Sequence, residues 1–191
     1  MSPGTIADRE GVQMATVLAP RVYGLDAICA AALASGGEEA AHFARRLYAR
    51  VADKDLAAAP ADQRAGAAVS LLGFARRRLP VVAKVRVFNT TDHGFESRHT
   101  IAQIVNDDMP FLVDSIANEF NRREINVHLL AHPVLAVRRD LDGDLLGFAV
   151  EAGERAKSES MMHIEVDRQA DPALLDELAA EIGRASCRER V

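Results

Sequence analysis

The stretch IVNDDMPFLVDSI at positions 104–116 decides the fold that this sequence predicts. Its first residues complete an apolar alternation typical of a β-strand. The acidic pair Asp107-Asp108 then makes a turn, and Pro110 stands where the first turn of a helix needs no N–H. The pattern predicts a strand that turns directly into a helix over 109–123, with Asp108 as its N-cap. The residues predicted to face the core are Met109, Leu112, Val113, Ile116 and Phe120.

Further strands and a second helix follow this turn. A long strand is predicted over 126–139, with an interruption at Pro133, because proline cannot donate to a sheet. Asp142-Gly143 indicates a hairpin turn, and alternation resumes over 160–167. A last amphipathic helix begins at Asp171-Pro172 and is predicted to be cut near Glu181.

The order strand, helix, strand, strand, helix over 99–181 is five of the six elements of a βαββαβ unit. A preceding strand is predicted over 84–90, where Val85 and Val87 alternate with Arg86 and Phe88. We therefore predict an α+β protein in which residues 83–181 form a ferredoxin-like (ACT-type) domain, truncated before its last strand.

Residues 1–82 are rich in alanine, leucine and arginine and predict a helical region. Helices are expected over 22–35, 38–51 and 62–79, with a break at Gly36-Gly37. The run Arg76-Arg77-Arg78 is interpreted as a solvated face near the end of the last of them.

Residues 182–191 form a separate segment. Codons that encode EIGRASCRERV in one frame resemble a common sequencing-library adapter, so we expect read-through here and exclude these residues from fold reasoning. A natural basic helix end with Cys187 as a free thiol is the alternative.

Composition excludes several classes of protein. The chain has 191 residues, 49% of them hydrophobic and 27% charged, with a net charge of −5, which is typical of a globular protein without affinity for nucleic acid. No apolar run is long enough to cross a membrane and no secretory signal opens the chain, so a cytoplasmic protein is expected.

Motifs for chemistry are weak. His128 and His132, together with His163-x-Glu165-x-Asp167, share strand faces and could converge on a metal, but a solvated sheet face predicts the same polar alternation. A phosphate-binding GxGxxG loop is absent from the sequence, and Asp107 and Asp108 have no identifiable catalytic partner. We therefore expect no catalytic residue, no metal ligand and no bound cofactor in this chain.

The turn at 107–111 resembles the strand-to-helix loop of ACT domains, which bind amino acids or pair with one another. The resemblance implies a ligand-binding site, in a loop whose helix N-terminus could receive a carboxylate. The implied residues are Asp107, Asp108, Met109, Pro110 and Phe111. ACT sites usually have glycine after the proline, where this chain has Phe111, and this difference favours a packing or oligomerisation role.

A closer resemblance rests on DDMPFLVDS, HPVL-x-VRRD and MHIEVDRQ-x-DP, in this order and spacing. Together they resemble the N-terminal region of the large bacterial NAD-specific glutamate dehydrogenases. The resemblance implies a parent enzyme that oxidises L-glutamate to 2-oxoglutarate and ammonia with NAD. The nicotinamide fold of the family lies further along the chain, so this region is expected to be regulatory or assembly-forming and inactive alone. Its expected partners are the rest of its own chain, sister subunits and an amino-acid effector.

A free-standing amino-acid sensor is the alternative function. A small self-contained enzyme lacks a catalytic constellation, and an RNA-binding ferredoxin-like domain is disfavoured because the strands lack stacking aromatic residues.

Overall fold

The computed structural model describes residues 24–90, 94–149, 152–153 and 156–188, and of residues 187–188 only the backbone. The first 23 residues of the predicted helical region, and residues 189–191 of the predicted tail, lie outside this range.

Helices form the first half of the described chain. They are α1 (Leu25–Tyr48), the short α2 (Asp53–Leu56) and α3 (Ala61–Ala75). The predicted break is confirmed, because α1 is kinked at Gly37, where φ is 75° and ψ is −172°. Such a backbone conformation favours glycine. Alanines such as Ala44 and Ala68 are fully buried where α1 and α3 pack closely together.

Six strands form one sheet: β1 (Lys84–Asn89), β2 (Thr100–Asp107), β3 (Val127–Ala131), β4 (Val134–Arg139), β5 (Leu145–Phe148) and β6 (Lys157–Val166). The described pairings are all antiparallel, in the order β1-β2-β6-β4-β5, with β3 also paired to β6.

One long edge of β6 carries both β3 and β4. Ala131 pairs with His163, and Val134 pairs with Ser160. Between them, the Pro133 carbonyl accepts a hydrogen bond from the Met161 N–H at 3.1 Å. The predicted long strand with an interruption at Pro133 is therefore confirmed.

Helices cover both faces of the sheet. One face packs against α4 (Leu112–Asn121) and α5 (Pro172–Arg188), and the other packs against α1 and α3. In β6 the even-numbered Met162 and Ile164 face the first pair, whereas Met161 and His163 face the second. The interpretation of one sheet face as solvated is wrong, because the helical first half of the chain covers it.

The fold class is confirmed as α+β, with a helical region before an ACT-like domain. In a βαββαβ unit the sixth strand would pair with the edge of β2 that faces away from β6. Here β1 occupies that edge from Thr100 to Val105. The helix expected to be cut near Glu181 continues to Arg188. In this extension Ile182 is buried and the Ser186 carbonyl accepts a hydrogen bond from Asn106 Nδ2 at 3.0 Å.

The predicted start of α4 is wrong by three residues. The helix begins at Leu112, and its N-cap is Phe111, with no side-chain capping hydrogen bond. Asp108 instead donates its backbone N–H to the Ser158 carbonyl at 3.0 Å, which fixes the turn to β6. The predicted core stripe is confirmed, because Leu112, Ile116 and Phe120 are buried, with Met109 and Val113 packed beside them. No described helix is both long enough and apolar enough to cross a bilayer.

Candidate functional site

A row of buried polar side chains lies between α3 and the sheet. Strand alternation places Glu159, His163 and Glu165 on the face of β6 beneath the helical layer, and all three are buried. The Arg64 side chain extends from α3 to this row, and only 3% of its surface is exposed. Burying charge in this way requires close partners, and the contacts around Glu165 supply them.

Glu165 is held by three basic side chains. Its Oε1 accepts a hydrogen bond from Arg64 Nη1 at 2.5 Å and lies 3.3 Å from His163 Nε2, and its Oε2 lies 3.1 Å from His99 Nδ1. Burial alone would raise the pKa of Glu165, but His163, Arg64 and His99 outweigh it and lower the pKa to about 2. The group is therefore a carboxylate throughout the physiological range.

Arg64 connects the layers as well as balancing charge. Its Nη2 donates to the Asp55 carbonyl in α2 at 2.9 Å, and its own carbonyl accepts the Tyr48 hydroxyl at 2.9 Å. Arg64 Nε is buried with no hydrogen-bond partner among the described residues. One side chain thus links α2, α3 and β6.

A second buried network lies at the other end of β6. Glu159 accepts two hydrogen bonds from Arg139, both at 2.8 Å, and one from Arg78 Nη2 at 2.9 Å. Arg78 Nη2 also donates to Asp107 Oδ1 at 2.5 Å. Burial would raise the pKa of Glu159, but the two arginines lower it. The interpretation of Arg78 as solvated is wrong, because α3 ends at Ala75 and the following segment turns this guanidinium under the helical layer.

A cleft of about 900 Å³ opens beside the Glu165 network. At its base the rings of His99 and His128 are stacked, with centroids 4.3 Å apart and planes 11° from parallel. His128 Nε2 lies 2.7 Å from Asp167 Oδ1. The lining residues that carry charge or a titratable ring are Arg64, Glu96, Arg98, His99, His128, Glu165 and Arg168. This cleft is the candidate site, because a concave surface with converging polar groups is the usual form of a small-molecule site.

The five residues of the predicted ACT loop lie elsewhere, at the opposite end of β2. Asp107 is engaged by Arg78, while Asp108, Pro110 and Phe111 are exposed and Met109 is half-buried. Neither this cleft nor a second cavity of about 570 Å³ near His132 is lined by any of them. Ligand binding at this loop stays a prediction.

The histidine and acidic side chains that could have converged on a metal do not assemble into a site. His132 Nε2 lies 2.5 Å from the Ser160 hydroxyl, whereas His128 contacts Asp167 and His163 contacts Glu165. Within the described ranges no group of three histidine, cysteine or acidic side chains could hold a metal ion.

The described residues also do not fit a nicotinamide dinucleotide. Dinucleotide sites lie at the carboxyl ends of parallel strands, beside a glycine-rich turn. The strand pairs described here are antiparallel, and the sequence has no GxGxxG motif.

Sequence reasoning missed Arg64, His99 and Arg98 as members of a site. Arg64 stands in an alanine-rich helix, where an isolated arginine normally points to solvent. The signal that could have found the site is the alternation of Glu159, Met161, His163 and Glu165 in β6, combined with an unpartnered helical half. A sheet face that a helical layer covers must satisfy these groups internally.

Comparisons with known proteins agree with the fold. The family model described as glutamate dehydrogenase, ACT1 domain, matches residues 43–182. The NAD-specific glutamate dehydrogenase of Halomonas elongata is 41% identical over 144 residues, which are 73% of this chain and 9% of that protein. The protein of the same name from Pseudomonas aeruginosa is 41% identical over 91 residues, which are 46% of this chain and 6% of that protein. The chain thus spans less than a tenth of the length of these curated relatives, and no solved structure matches it.

Proposed function

This chain belongs to the family of glutamate dehydrogenase ACT1 domains, and from that premise we propose that it is a non-catalytic accessory domain of a longer enzyme. The parent enzyme would lie in the cytoplasm and oxidise L-glutamate to 2-oxoglutarate and ammonia with NAD. The domain would stand near its N-terminus and serve regulation or assembly. The observation that carries the proposal is the family match over residues 43–182.

The chemistry of the chain supports the non-catalytic part of this proposal. Its buried carboxylates, Glu159 and Glu165, are each neutralised by arginines or histidines in fixed networks. A general base needs a pKa near the working pH, and these carboxylates have pKa values below the ordinary range. Binding of NAD and proton abstraction would therefore belong to the rest of the parent chain.

The surface supports an assembly role with the rest of the parent chain and with sister subunits. Large apolar side chains remain exposed near the β2–α4 turn, in the connection before β1 and in the β4–β5 turn. They are Leu79, Val81, Val82, Phe111 and Leu141. These exposed apolar side chains are available to contact further protein.

Two measurements test this function. The purified chain, mixed with L-glutamate and NAD, should produce no NADH above the rate without protein. The complete parent enzyme, compared with a version that lacks the region equivalent to residues 24–188, should change its mass in light scattering or its kinetic response to amino acids. Turnover by the chain alone would contradict the proposal, as would a deleted enzyme of unchanged mass and unchanged kinetics.

A further inference from the structure

We propose that the cleft between the helical layer and the start of β2 binds a small dianion that carries carboxylate or phosphate groups. Binding itself is a property of this chain, while its use as a regulatory signal rests on the proposed function above. The site is distinct from the predicted ACT loop. The cleft adjoins Thr100 at the start of β2, and the loop follows Asp107 at its end, so the strand separates them by roughly 23 Å.

The charges that line the cleft favour an anion. Of the two acids among the described residues that line it, Glu165 is already paired with Arg64 and contacts His99 and His163. Glu96 is the other lining acid. Arg98 and Arg168 also line the cleft. Their two positive charges exceed the one negative charge of Glu96, even when His128 is not counted.

Arg98 and Arg168 are available to a ligand. Both are exposed, and neither forms an ion pair with any residue that the structure describes. This separates them from Arg64, whose guanidinium is committed to Glu165 and to the Asp55 carbonyl. A guanidinium binds a carboxylate or phosphate through two parallel hydrogen bonds, so two such groups suit a ligand with two acidic ends.

Neutral groups in the cleft add donors. The Ser97 hydroxyl oxygen accepts the His99 N–H at 3.1 Å, which leaves the hydroxyl hydrogen to donate. The Gln63 amide also lines the cleft and makes no side-chain hydrogen bond within the described chain. These donors stand beside the arginines, where they would hold acceptor oxygens of the same ligand.

The floor of the cleft is held in place before any ligand arrives. His99 is fixed by Glu165 and by its stack on His128. The segment before it is pressed onto α3, where a Cβ added at Gly66 would lie only 2.4 Å from Phe95 Cβ. A fixed floor lowers the entropy lost on binding. The volume of about 900 Å³ lies within the range of small-molecule sites, and its concave form suits a metabolite better than a flat protein partner.

Calorimetry on the whole 191-residue chain tests the proposal with four probes. 2-Oxoglutarate represents dicarboxylate dianions, L-glutamate presents two carboxylates together with an ammonium group, and inorganic phosphate and pyrophosphate represent phosphates. We expect at least one probe to give saturable heat with a Kd below about 1 mM. This Kd should rise as salt is added, because salt screens the charges. The double variant Arg98→Gln/Arg168→Gln should raise that Kd at least about tenfold, because it removes both guanidinium groups that we propose bind the ligand.

A matched double variant controls for net charge. Arg50→Gln/Arg138→Gln removes the same charge from exposed arginines that do not line the cleft, and it should leave the Kd within about twofold. The absence of binding heat with all four probes would overturn the proposal. This holds also if an acidic protein segment, and not a small anion, is what fills the cleft. An equal loss of affinity in both double variants would also overturn it. Glutamate-dependent NADH production by the chain would contradict the proposed function without touching this result.

Discussion

At the scale of single residues, the Arg64–Glu165 pair shows what burial does to a charge. Each group would be unstable alone beneath α3, and together with His163 and His99 they satisfy one another. A buried ion pair adds little compared with a well-packed apolar pair, but removing one member leaves a buried charge without compensation. Loss of either member should therefore destabilise the packing of α3 on the sheet.

We expect Arg64→Met to lower the free energy of unfolding by roughly 3–5 kcal/mol, because it leaves the buried Glu165 carboxylate without its arginine partner. Urea unfolding followed by circular dichroism measures the change. The control is Arg45→Met, which breaks the exposed pair with Asp26 and should cost much less, because solvent screens exposed pairs. Equal losses of unfolding free energy in the two variants would show that the buried pair contributes no more to stability than the exposed pair.

Phe111 carries backbone strain where an ACT loop usually has glycine. Its φ is 57°, a left-handed conformation that costs a non-glycine residue about 1–2 kcal/mol, and its side chain is 70% exposed. We expect Phe111→Gly to raise the free energy of unfolding by roughly 0.5–1 kcal/mol, because relief of strain exceeds the added entropy of the unfolded chain. Leu141→Gly, at a 99% exposed residue without positive φ, should give no such gain in thermal unfolding.

At the scale of elements, α4 depends on its apolar stripe and not on its proline. We expect Leu112→Ala or Ile116→Ala to cost roughly 2–5 kcal/mol, because each leaves a cavity against the sheet. Pro110→Gly should cost little, since Pro110 is exposed and precedes the helix. Chemical denaturation of the three variants checks this, and negligible losses for both apolar truncations would mean that the stripe is not buried.

Replacing either of two glycines of α3 by alanine should change the stability of the protein, in opposite directions at the two positions. In a helix the change normally stabilises by roughly 0.5–1 kcal/mol, and Gly73 has no neighbour within 4 Å of an added Cβ. Gly66 would bring its Cβ to 2.4 Å from Phe95 Cβ, so we expect Gly66→Ala to destabilise the protein. Thermal unfolding of both variants measures the sign, and a gain at Gly66 would contradict the close approach of α3 to Phe95.

Local pattern was enough to predict most elements. The strand into α4, the interruption at Pro133 and the kink at Gly37 each follow from a residue whose backbone preference acts within a few positions. The start of α4 was not predictable in the same way. The turn is held by the Ser158 carbonyl, which comes from a strand distant in sequence, and this contact overrides the capping preference of Asp108.

Strand alternation alone could not predict the candidate cleft, because it shows that two faces differ but not what covers each of them. His163 and Glu165 read as solvent-facing until the helical half is placed over them. Arg98 lies in the connection before β2 and Arg168 in the connection after β6, and the antiparallel pairing of Thr100 with Val166 brings the two connections to one cleft.

At the scale of the whole molecule, buried titratable groups predict acid sensitivity. The pKa of Glu165 falls from 4.5 to about 2 on folding, and that of Glu159 is also lowered, so the unfolded chain binds more protons in this range. The contribution of these two carboxylates to stability should therefore be fully present above about pH 4.5 and be lost as the pH falls toward 2. Burial, against the opposing charge of Asp108, also lowers the pKa of His132 below 6.5, so stability should begin to fall as the pH drops below 6.5.

Urea midpoints measured from pH 7 to pH 3 test this dependence. A constant free energy of unfolding below pH 4.5 would contradict the buried carboxylate networks.

The pairing of β1 with β2 has a consequence for synthesis on the ribosome. The two strands are neighbours in sequence, so this hairpin can close as soon as residue 107 has emerged. A unit that waited for a strand after α5 would expose a row of unpaired backbone groups on the nascent chain, and such rows template aggregation. By supplying that strand from upstream, the protein pairs this edge of β2 before β6, which covers the other edge, has been translated.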